Sequence, residues 1–296
     1  MTDGQIITPT FLRNWPLPAP GASKSSRGRI LIVGGARRLP GAAGLAGLAA
    51  LRVGAGVLTL AVADSAAVAL AVATPESGVI GLPEDERGSV TGAGLDRIDE
   101  AMAAVDAVVV GPGLDAPGAT VTLLQALLPR IPDGVPVVLD AFALGVLNDV
   151  AGVARSLSGR LVLTPNAEEA TRLLGGRPED RTDRDQDAIA EQATAVAQRF
   201  DALVCCQNVI ADPRGRLWFG SSGHGGLGTS GSGDVLAGAI GGLLARGAEL
   251  DQAACWGSHL HVTAGDRLAI EIGPLGFLAR ELVDRLPAVM AELTTV

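Results

Sequence analysis

Aromatic residues are scarce in this chain of 296 residues, where they make up 3% of the sequence and tyrosine is absent. Glycine, in contrast, is abundant, with 40 residues. An interior short of bulky side chains has to be filled by helices that approach a sheet closely, which favours an α/β layer fold. No break in composition divides the chain, so we expect one domain, residues 28–296, preceded by an N-terminal arm, residues 1–27.

Positive charge is also in short supply. The sequence holds 23 lysine and arginine residues against 32 aspartate and glutamate residues, which gives a formal net charge of −9. This balance argues against nucleic acid or an anionic membrane as a partner and leaves a small-molecule substrate as the expectation. A nucleotide is still compatible with it if local donors bind the phosphates, such as loop amides, a helix N-terminus, Mg²⁺ or a placed cationic side chain.

Cysteine is rare as well, and Cys205, Cys206 and Cys255 show no metal-ligand spacing. We therefore expect no metal-ligating residues and interpret the cysteines as buried thiols of a reducing, cytoplasmic compartment. Residues 1–17 lack the basic start and apolar run of a secretory signal peptide. The most apolar stretch, residues 42–63, is interrupted by an arginine and by glycines, so a core helix and strand are expected there rather than a membrane span.

Short apolar runs recur along the chain and are separated by helical patterns. Each run is apolar throughout, as a strand buried on both faces of a parallel sheet should be, and the intervening helices supply right-handed crossovers. The sequence thus predicts a three-layer α/β/α sandwich with a mostly parallel central sheet. The predicted strands are residues 29–34, 57–63, 107–111, 136–140, 160–164 and 202–206. The predicted helices are residues 42–53, 118–128, 142–149, 167–174 and 189–200, followed by a largely helical segment at 233–293.

The most distinctive stretch is a glycine-rich loop that runs into a helix of small residues, Gly228 to Gly247. Gly231, Ser232 and Gly233 allow backbone N–H groups to converge on an anion, and the following helix adds its positive end at the same place. This arrangement is typical of a phosphate site. Asp234 is a candidate base that takes a proton from a hydroxyl group as its oxygen attacks a phosphoryl group. The alternative is that Asp234 only caps the helix.

Other polar and glycine-rich motifs mark the ends of the predicted strands. In an open α/β sheet, ligands bind past the carboxyl ends of the strands, so we expect these motifs to converge on one cleft. Close ligand contact is expected at the second of them, because its glycines leave N–H groups open and no side chain in the way. The motifs are Gly34-Gly35, Gly111-Pro112-Gly113, Asp140, Thr164-Pro165-Asn166 and the loop at Gly231.

Several polar residues have structural interpretations beside the functional ones. Asn166 and Glu169 are spaced like the N-cap and the N3 residue of a capping box. Asp140, at the end of a buried strand, either lies near Mg²⁺ or makes a structural hydrogen bond to a glycine loop. Arg37 and Arg38 are either a solvated pair or contacts for substrate phosphates.

The histidines divide in the same way. His224 lies in a glycine-rich loop, where it either contacts a nucleotide or is only a surface residue. His259 and His261 follow a helical pattern of small residues and are interpreted as helix-packing residues.

Taken together, the motifs resemble the NAD(P)H-hydrate dehydratase family of the ribokinase-like superfamily, in the family's order and over roughly residues 28–287. The matching elements are Gly34-Gly35 with Pro40-Gly41-Ala42-Ala43, Gly111-Pro112-Gly113-Leu114, Leu139-Asp140-Ala141, Leu163-Thr164-Pro165 with Glu169 and Leu173, Gly231 to Gly238, Leu260-His261 to Asp266, and Leu278-Ala279 to Leu286-Pro287.

The resemblance implies a ribokinase-like sandwich and a repair enzyme that dehydrates hydrated NADH and NADPH. ADP or ATP with Mg²⁺ would phosphorylate the ring hydroxyl, and loss of phosphate would complete the dehydration. A homo-oligomer is implied as well. The implied substrate contacts are Ala43, Gly113, Asn166 and Asp234, the last of these also the catalytic residue. The implied nucleotide contacts are Val204, Cys205, Cys206, Gln207, Asn208, Gly231, Ser232 and Gly233.

The chain departs from the family's motifs at several of these positions. The family's Lys-Gly-Ala-x-Thr aligns with residues 204–208, so that a phosphate-facing lysine is replaced by Val204. The family's Thr-Pro-His ends here in Asn166, an Asn becomes His224, and Asp-Ala-Asp ends in Phe142. Because a lysine on a phosphate supplies a charge-assisted hydrogen bond, its loss predicts nucleotide affinity weaker on the order of 10- to 100-fold.

Two further functions fit the same residues. One is a small-molecule kinase of the same fold that acts on a vitamin precursor or a sugar alcohol, since Asp234 would serve in-line phosphoryl transfer to either acceptor. The other is a non-catalytic relative that binds a nucleotide or dinucleotide, for which Val204 and Asn166 are the main support.

Overall fold

A central sheet of ten strands with helices on both faces forms the protein, in a computed structural model that describes residues 4–177, 185–221 and 225–294. In chain order the strands are β1 (Gln5–Ile7), β2 (Arg29–Val33), β3 (Val57–Ala63), β4 (Ser77–Leu82), β5 (Ala107–Val110), β6 (Val137–Leu139), β7 (Leu161–Leu163), β8 (Leu203–Cys206), β9 (Val209–Ala211) and β10 (Leu217–Gly220). They lie in the order β1-β10-β9-β8-β7-β6-β5-β2-β3-β4. All neighbours are parallel except β9, which is antiparallel to both β8 and β10.

This architecture confirms the predicted three-layer α/β/α sandwich. All six predicted strands are present, each within about a residue of its predicted end. The strands that pattern analysis missed lie toward the two edges of the sheet: β1, β4, β9 and β10. Edge strands need not be apolar on both faces; β4, for example, carries two glycines and is partly exposed along most of its length.

The helices divide between two apolar layers. They are α1 (Pro9–Arg13), α2 (Pro40–Arg52), α3 (Asp64–Ala73), α4 (Asp99–Ala103), α5 (Pro117–Leu127), α6 (Phe142–Gly145), α7 (Ala151–Ala154), α8 (Ala167–Leu173), α9 (Gln186–Phe200), α10 (Ser232–Ala245), α11 (Leu250–Glu271) and α12 (Ala279–Thr294). Helices α1, α2, α3, α10, α11 and α12 bury apolar residues on one face of the sheet. The others do so on the opposite face. The predicted helix at 142–149 is wrong in detail, because its first helical piece, α6, already ends at Gly145.

Small residues allow α10 to lie directly against α2, as the scarcity of aromatics led us to expect. A Cβ atom added at Gly238 would collide with the backbone of Ala46, and one added at Gly242 would lie 2.6 Å from the Cα of Ala50. The two helices therefore touch backbone to backbone. This contact fixes α10 over the sheet, and with it the position of its N-terminus.

The N-terminal residues join the sheet at one edge. Strand β1 pairs in parallel with β10, and the Thr8 side chain caps α1 by accepting a hydrogen bond of 3.1 Å from the N–H of Phe11. The Trp256 indole donates a hydrogen bond of 3.0 Å to the carbonyl of Trp15. Among the described helices, none combines the length and the apolar character needed to cross a lipid bilayer.

Candidate active site

A cleft of about 650 Å³ opens past the carboxyl ends of β6, β7 and β8. Its other wall is the start of α10 together with the middle of α11 and the loop before α10. The lining residues are Asp140, Ala141, Thr164, Pro165, Asn166, Glu169, Cys205, Gln207, Asn208, Leu227, Gly228, Ser232, Gly233, Asp234, Leu236, His261 and Val262. Two of the four predicted strand-end motifs, Asp140 and Thr164-Pro165-Asn166, line this cleft together with the α10 loop, whereas Gly34-Gly35 and Gly111-Pro112-Gly113 do not.

Asp234 is the third residue of α10 and faces this cleft. The helix is preceded by Gly231, whose φ of 90° places the backbone in the left-handed region. Burial raises the pKa of the Asp234 carboxyl to about 7, and the negative charge of Asp140 adds to this rise. Within the described part of the chain, no donor makes a hydrogen bond to the Asp234 carboxylate, and the group is not an N-cap. The carboxylate is therefore available to a ligand.

Asp140 lies across the cleft and is almost fully buried. Its Oδ1 accepts a hydrogen bond of 2.5 Å from the hydroxyl group of Thr164. Burial raises the pKa of Asp140 to about 6, although the bonds from Thr164 and from the backbone of Ala141 oppose the rise. The structural hydrogen bond that was one of the two interpretations of Asp140 is thus present. Its donor is the hydroxyl group of Thr164, just past β7, and not a glycine loop.

The backbone is strained at the residue that follows Asp140. Ala141 has a φ of 49° and a ψ of −120°, and the N–H of Ala143 donates to the carbonyl of Asp140 across it. This is the first central position of a type II′ turn, which glycine usually occupies. A non-glycine residue held there costs about 1–3 kcal/mol and such residues cluster at functional sites. The strain fixes the direction in which the chain leaves β6.

The capping box predicted at the start of α8 is confirmed. The Asn166 side chain accepts a hydrogen bond of 2.9 Å from the N–H of Glu169, and Glu169 Oε2 accepts one of 2.9 Å from the N–H of Asn166. Burial, with a contribution from Asp140, raises the pKa of Glu169 to about 7. Both residues line the cleft, so the capping role and a ligand role are compatible.

The cleft holds acidic side chains but no basic ones. Asp140, Glu169 and Asp234 line it, and among the described lining residues there is no lysine or arginine. No group of three or more histidine, cysteine, aspartate or glutamate side chains within the described ranges is arranged to hold a metal ion. Among the described lining residues, the groups suited to a phosphate are thus backbone N–H groups and side-chain amides.

The turn between β8 and β9 supplies the amide side chains. Gln207 and Asn208 line the cleft, and Gln207 has a φ of 52°. Cys205 also lines it, as a thiol whose pKa burial raises to about 12. Val204 and Cys206 are fully buried in the apolar layer on the opposite face of the sheet, since side chains alternate along β8. Their side chains do not line the cleft.

His261 comes from the middle of α11 and was expected only to pack. Its Nε2 lies 2.9 Å from the hydroxyl oxygen of Ser232 and 3.0 Å from the carbonyl oxygen of the same residue. Burial lowers the pKa of His261 to about 4, so the imidazole is neutral at pH 7. Sequence reasoning missed this contact because its two residues lie 29 positions apart, on different helices.

The remaining site residues from the sequence lie outside the cleft lining. Ala43 is fully buried in α2, a Cβ added at Gly231 would meet Leu45 and Ala279, and Gly113 is buried in a tight loop. His224 lies outside the described residues. Arg37 forms an ion pair of 2.5 Å with Glu84.

The loop at Gly111-Pro112-Gly113 is closed by a second glycine loop. The N–H of Gly35 donates to the carbonyl of Pro112 at 2.8 Å, and the N–H of Ala36 donates to the carbonyl of Gly113 at 2.8 Å. A Cβ atom at Gly34 would collide with the Pro112 carbonyl, and one at Gly111 with the Asp140 carbonyl. These glycines therefore allow backbone to meet backbone.

The chain is similar to known proteins both in its match to a family model and in its sequence. A family model described as NAD(P)H-hydrate dehydratase matches residues 30–288. An ADP-dependent (S)-NAD(P)H-hydrate dehydratase of Xanthomonas campestris pv. campestris is 43% identical over 98% of this chain and 97% of that protein. A bifunctional NAD(P)H-hydrate repair enzyme Nnr of Moorella thermoacetica is 39% identical over 98% of this chain. The chain spans about half of the length of that bifunctional relative, 54%.

Solved structures give the same picture of the fold. A ribokinase-like superfamily protein of Enterococcus faecalis superposes with a TM-score of 0.83 at 21% identity, over 99% of this chain and 97% of that one. An ADP/ATP-dependent NAD(P)H-hydrate dehydratase from Bacillus subtilis, co-crystallized with ATP/Mg²⁺, superposes with a TM-score of 0.79 at 26% identity. That match covers 99% of this chain and 100% of the other.

Proposed function

Since the chain belongs to the NAD(P)H-hydrate dehydratase family, we propose that it dehydrates hydrated NADH and NADPH at the expense of ADP, with ATP as the alternative donor. The observation that carries this proposal is the unpartnered Asp234 carboxylate at the N-terminus of α10, inside the cleft. The 43% identical relative is named as ADP-dependent, and the Bacillus subtilis neighbour as ADP/ATP-dependent.

The first step is phosphoryl transfer to the hydroxyl group of the hydrated ring. Asp234 takes the hydroxyl proton as the oxygen forms a bond to the terminal phosphorus, and the bond between that phosphorus and the rest of the nucleotide breaks. The ring C–O bond then breaks and inorganic phosphate leaves with the bonding electron pair. A proton passes from the neighbouring ring carbon to solvent, which restores the double bond. A pKa of about 7 suits Asp234 to accept a proton near neutral pH.

Backbone and amide donors take the place of a cationic side chain in this proposal. The first N–H groups of an α-helix have no intrahelical acceptor and carry the positive end of the helix dipole. In α10 these include the N–H groups of Gly233 and Asp234, which border the cleft. The amides of Gln207 and Asn208 lie on the same cleft and complete the set of neutral phosphate donors.

Mg²⁺ fits the chemistry of the lining residues. It is usually held by one or two carboxylates together with substrate phosphates, and Asp140 and Glu169 are the carboxylates that would hold it here. When bound, Mg²⁺ neutralises phosphate charge. The pKa of Asp234 is raised by burial first and then by the negative charge of Asp140, which strengthens Asp234 as a base.

The other site residues predicted from the sequence have unequal support from the structure. Asn166 and Asp234 line the cleft and are proposed as substrate contacts. Ala43, Gly113, Val204, Cys206 and Gly231 do not line it, so we give them no direct side-chain contact with a ligand.

We also propose that residues 28–296 act as one catalytic domain and that the protein is a cytoplasmic homo-oligomer. Three buried free thiols support a reducing compartment. An apolar face on α3, where Val68 and Val72 are each 78% exposed, supports self-association. The size of particles in solution, measured by light scattering, tests the oligomer.

Recovery of absorbance at 340 nm from hydrated NADH tests the proposed reaction directly. With ADP or ATP present, the parent protein should restore NADH, and Asp234→Asn should be slower by on the order of 10²–10⁴-fold while still binding nucleotide. Turnover of Asp234→Asn within a few fold of the parent would contradict the assigned base. Consumption of nucleotide with another acceptor would favour the kinase, and binding without turnover the non-catalytic relative.

A further inference from the structure

His261 is the one described imidazole that lines the cleft, yet the proposed reaction does not use it. It is almost fully buried and projects from the centre of α11, a helix of 22 residues that packs along α10. Its Nε2 lies within hydrogen-bond distance of two atoms, and both belong to Ser232, the first residue of α10. A histidine in this position would be an obvious cation for phosphate, so its charge decides which role it can have.

The charge of His261 excludes that obvious role. Burial holds its pKa near 4, so the ring is neutral in the range where the cleft carboxyls titrate. A neutral Nε2 either donates its hydrogen to the Ser232 carbonyl or accepts one from the Ser232 hydroxyl group. In both tautomers the ring is tied to the same residue. The contact therefore positions Ser232 rather than binding an anion.

Ser232 is the point at which the glycine loop becomes a helix. Its own N–H donates to the carbonyl of Thr229 at 3.2 Å, within the loop. The next two residues, Gly233 and Asp234, carry the free N–H groups and the carboxylate that face the cleft. Gly233 has no neighbouring atom within 4 Å of the place where a Cβ would be, so the backbone there faces open space on that side.

We propose that His261 is a positioning residue of this site: it ties Ser232 to α11 and so sets where the N–H groups and the carboxylate at the start of α10 meet the phosphoryl group. The inference rests on the proposed function for its kinetic consequence. A displacement of about 1 Å at a reacting group costs on the order of 100-fold in rate, so a loose Ser232 should show mainly in kcat.

The test compares His261→Phe, which keeps an aromatic ring but removes both bonds, with His261→Gln, which places an amide near the position of Nε2. In the 340 nm assay, His261→Phe should lose on the order of 10- to 100-fold in kcat, with KM for hydrated NADH changed by less than about threefold. The Kd for ADP, measured by calorimetry, should rise roughly tenfold. His261→Gln should recover most of both losses, which a purely structural packing role would not require.

Two controls make the outcome decisive. His259→Phe alters a half-buried histidine two residues earlier on the same helix, outside the cleft, and should leave kcat and the Kd for ADP unchanged. Ser232→Ala should lower kcat, and the double variant with His261→Phe should be no slower than the slower single variant. Losses that multiply, or a His261→Phe protein with parental kcat and Kd, would overturn the inference.

The two proposals fail in different ways. A parent protein that binds ADP but does not restore NADH contradicts the proposed reaction, and the Kd for ADP then judges the inference alone. A parental Kd in His261→Phe overturns it, and a weakened Kd that His261→Gln restores supports it. If His261→Phe does not fold, the test uses His261→Gln instead. The kcat of His261→Gln is then compared with that of the double variant Ser232→Ala/His261→Gln, and a ratio near one would contradict the coupling between the two residues.

Discussion

Two glycine-rich loops lie at the ends of the sheet's strands, and they serve opposite purposes. The loop at Gly111 is packed against the loop at Gly34, with hydrogen bonds of 2.8 Å between the two backbones and no room for a Cβ at either glycine. The loop at Gly233 is open: no atom lies within 4 Å of a Cβ placed there, and the residue is exposed to the cleft.

The difference shows that a glycine motif at a strand end indicates only that something approaches the backbone closely. At Gly111 the approaching group is the Asp140 carbonyl of the next strand end. At Gly233 there is space that a ligand can fill.

The largest effect is expected from a methyl group in the closed loop. Gly111→Ala should lower the free energy of unfolding by about 3 kcal/mol or more, because the new Cβ collides with a fixed carbonyl and the φ of 129° is unfavourable for alanine. Urea denaturation measures this. Gly134→Ala is the matched control, since Gly134 has a φ of 80° but open space around it, and it should cost only about 1 kcal/mol. Equal losses in the two variants would mean that the loop is not closed.

The pH dependence of the open loop comes next. Because Asp234 must be ionised to accept a proton and has a pKa of about 7, kcat/KM should fall below pH 7, by about 100-fold at pH 5. A rate that is flat between pH 5 and 8 would contradict the assignment.

The stability of the fold should change with pH in the direction opposite to that of kcat/KM. A pKa near 7 lies above the ordinary value of 3.8, so the folded state binds the extra proton between pH 4 and 7, and Asp234 destabilises the fold progressively as the pH rises through that range. Asp234→Asn should therefore melt at a higher temperature than the parent at pH 8 and at nearly the same temperature at pH 4. Scanning calorimetry at both values checks this.

A cation introduced on the other face of β8 should have a smaller effect. Val204 lies on that face with Cys206, whose pKa is raised to about 12 by burial, with a further contribution from the nearby charge of Glu169. A lysine at position 204 would extend past Cys206 toward Glu169. Val204→Lys should then lower the pKa of Glu169 and tighten ADP binding about tenfold, as a charge-assisted hydrogen bond would. Val204→Met, of similar length without charge, is the control; an equal gain there would exclude the electrostatic cause.

The smallest expected effect sharpens the comparison most directly. Gly233 and Gly118 are both the second residue of a helix, and both have open space where a Cβ would go. Alanine at either position should stabilise the protein by about 0.5–1 kcal/mol. Only Gly233→Ala should weaken ADP binding, by several fold, because its methyl group enters the cleft. Unchanged ADP affinity would show that phosphate does not approach this backbone.

How far the sequence predicts the molecule depends on whether a contact is local. The buried strands β2, β3, β5, β6, β7 and β8 were found because each is apolar on both faces. The capping box of Asn166 and Glu169 was found because its two halves are three residues apart. The Asp234 position was found from the glycines next to it.

The features that the sequence did not reveal depend on distant chain segments. The packing of the loop at Gly34 on the loop at Gly111 is not visible in the sequence, because the two lie far apart along the chain, and a ligand contact at Gly111-Pro112-Gly113 stays a prediction. His261 gave only a helical pattern, and its partner Ser232 belongs to another helix. The missing cation at Val204 was visible in the sequence, but the opposite orientation of its side chain follows from the register of β8 in the sheet.

The pairing of β1 with β10 delays completion of the sheet while the polypeptide is being synthesised. Gln5 lies opposite Trp218, so β1 pairs with a strand that is made more than 200 residues later. At about 5–20 residues per second, β1 waits roughly 10–40 s for its neighbour. The β1–β10 pair can form only after that interval, and until then β1 offers unpaired backbone groups to other chains. A newly made molecule should therefore remain prone to misassembly until β1 has paired with β10.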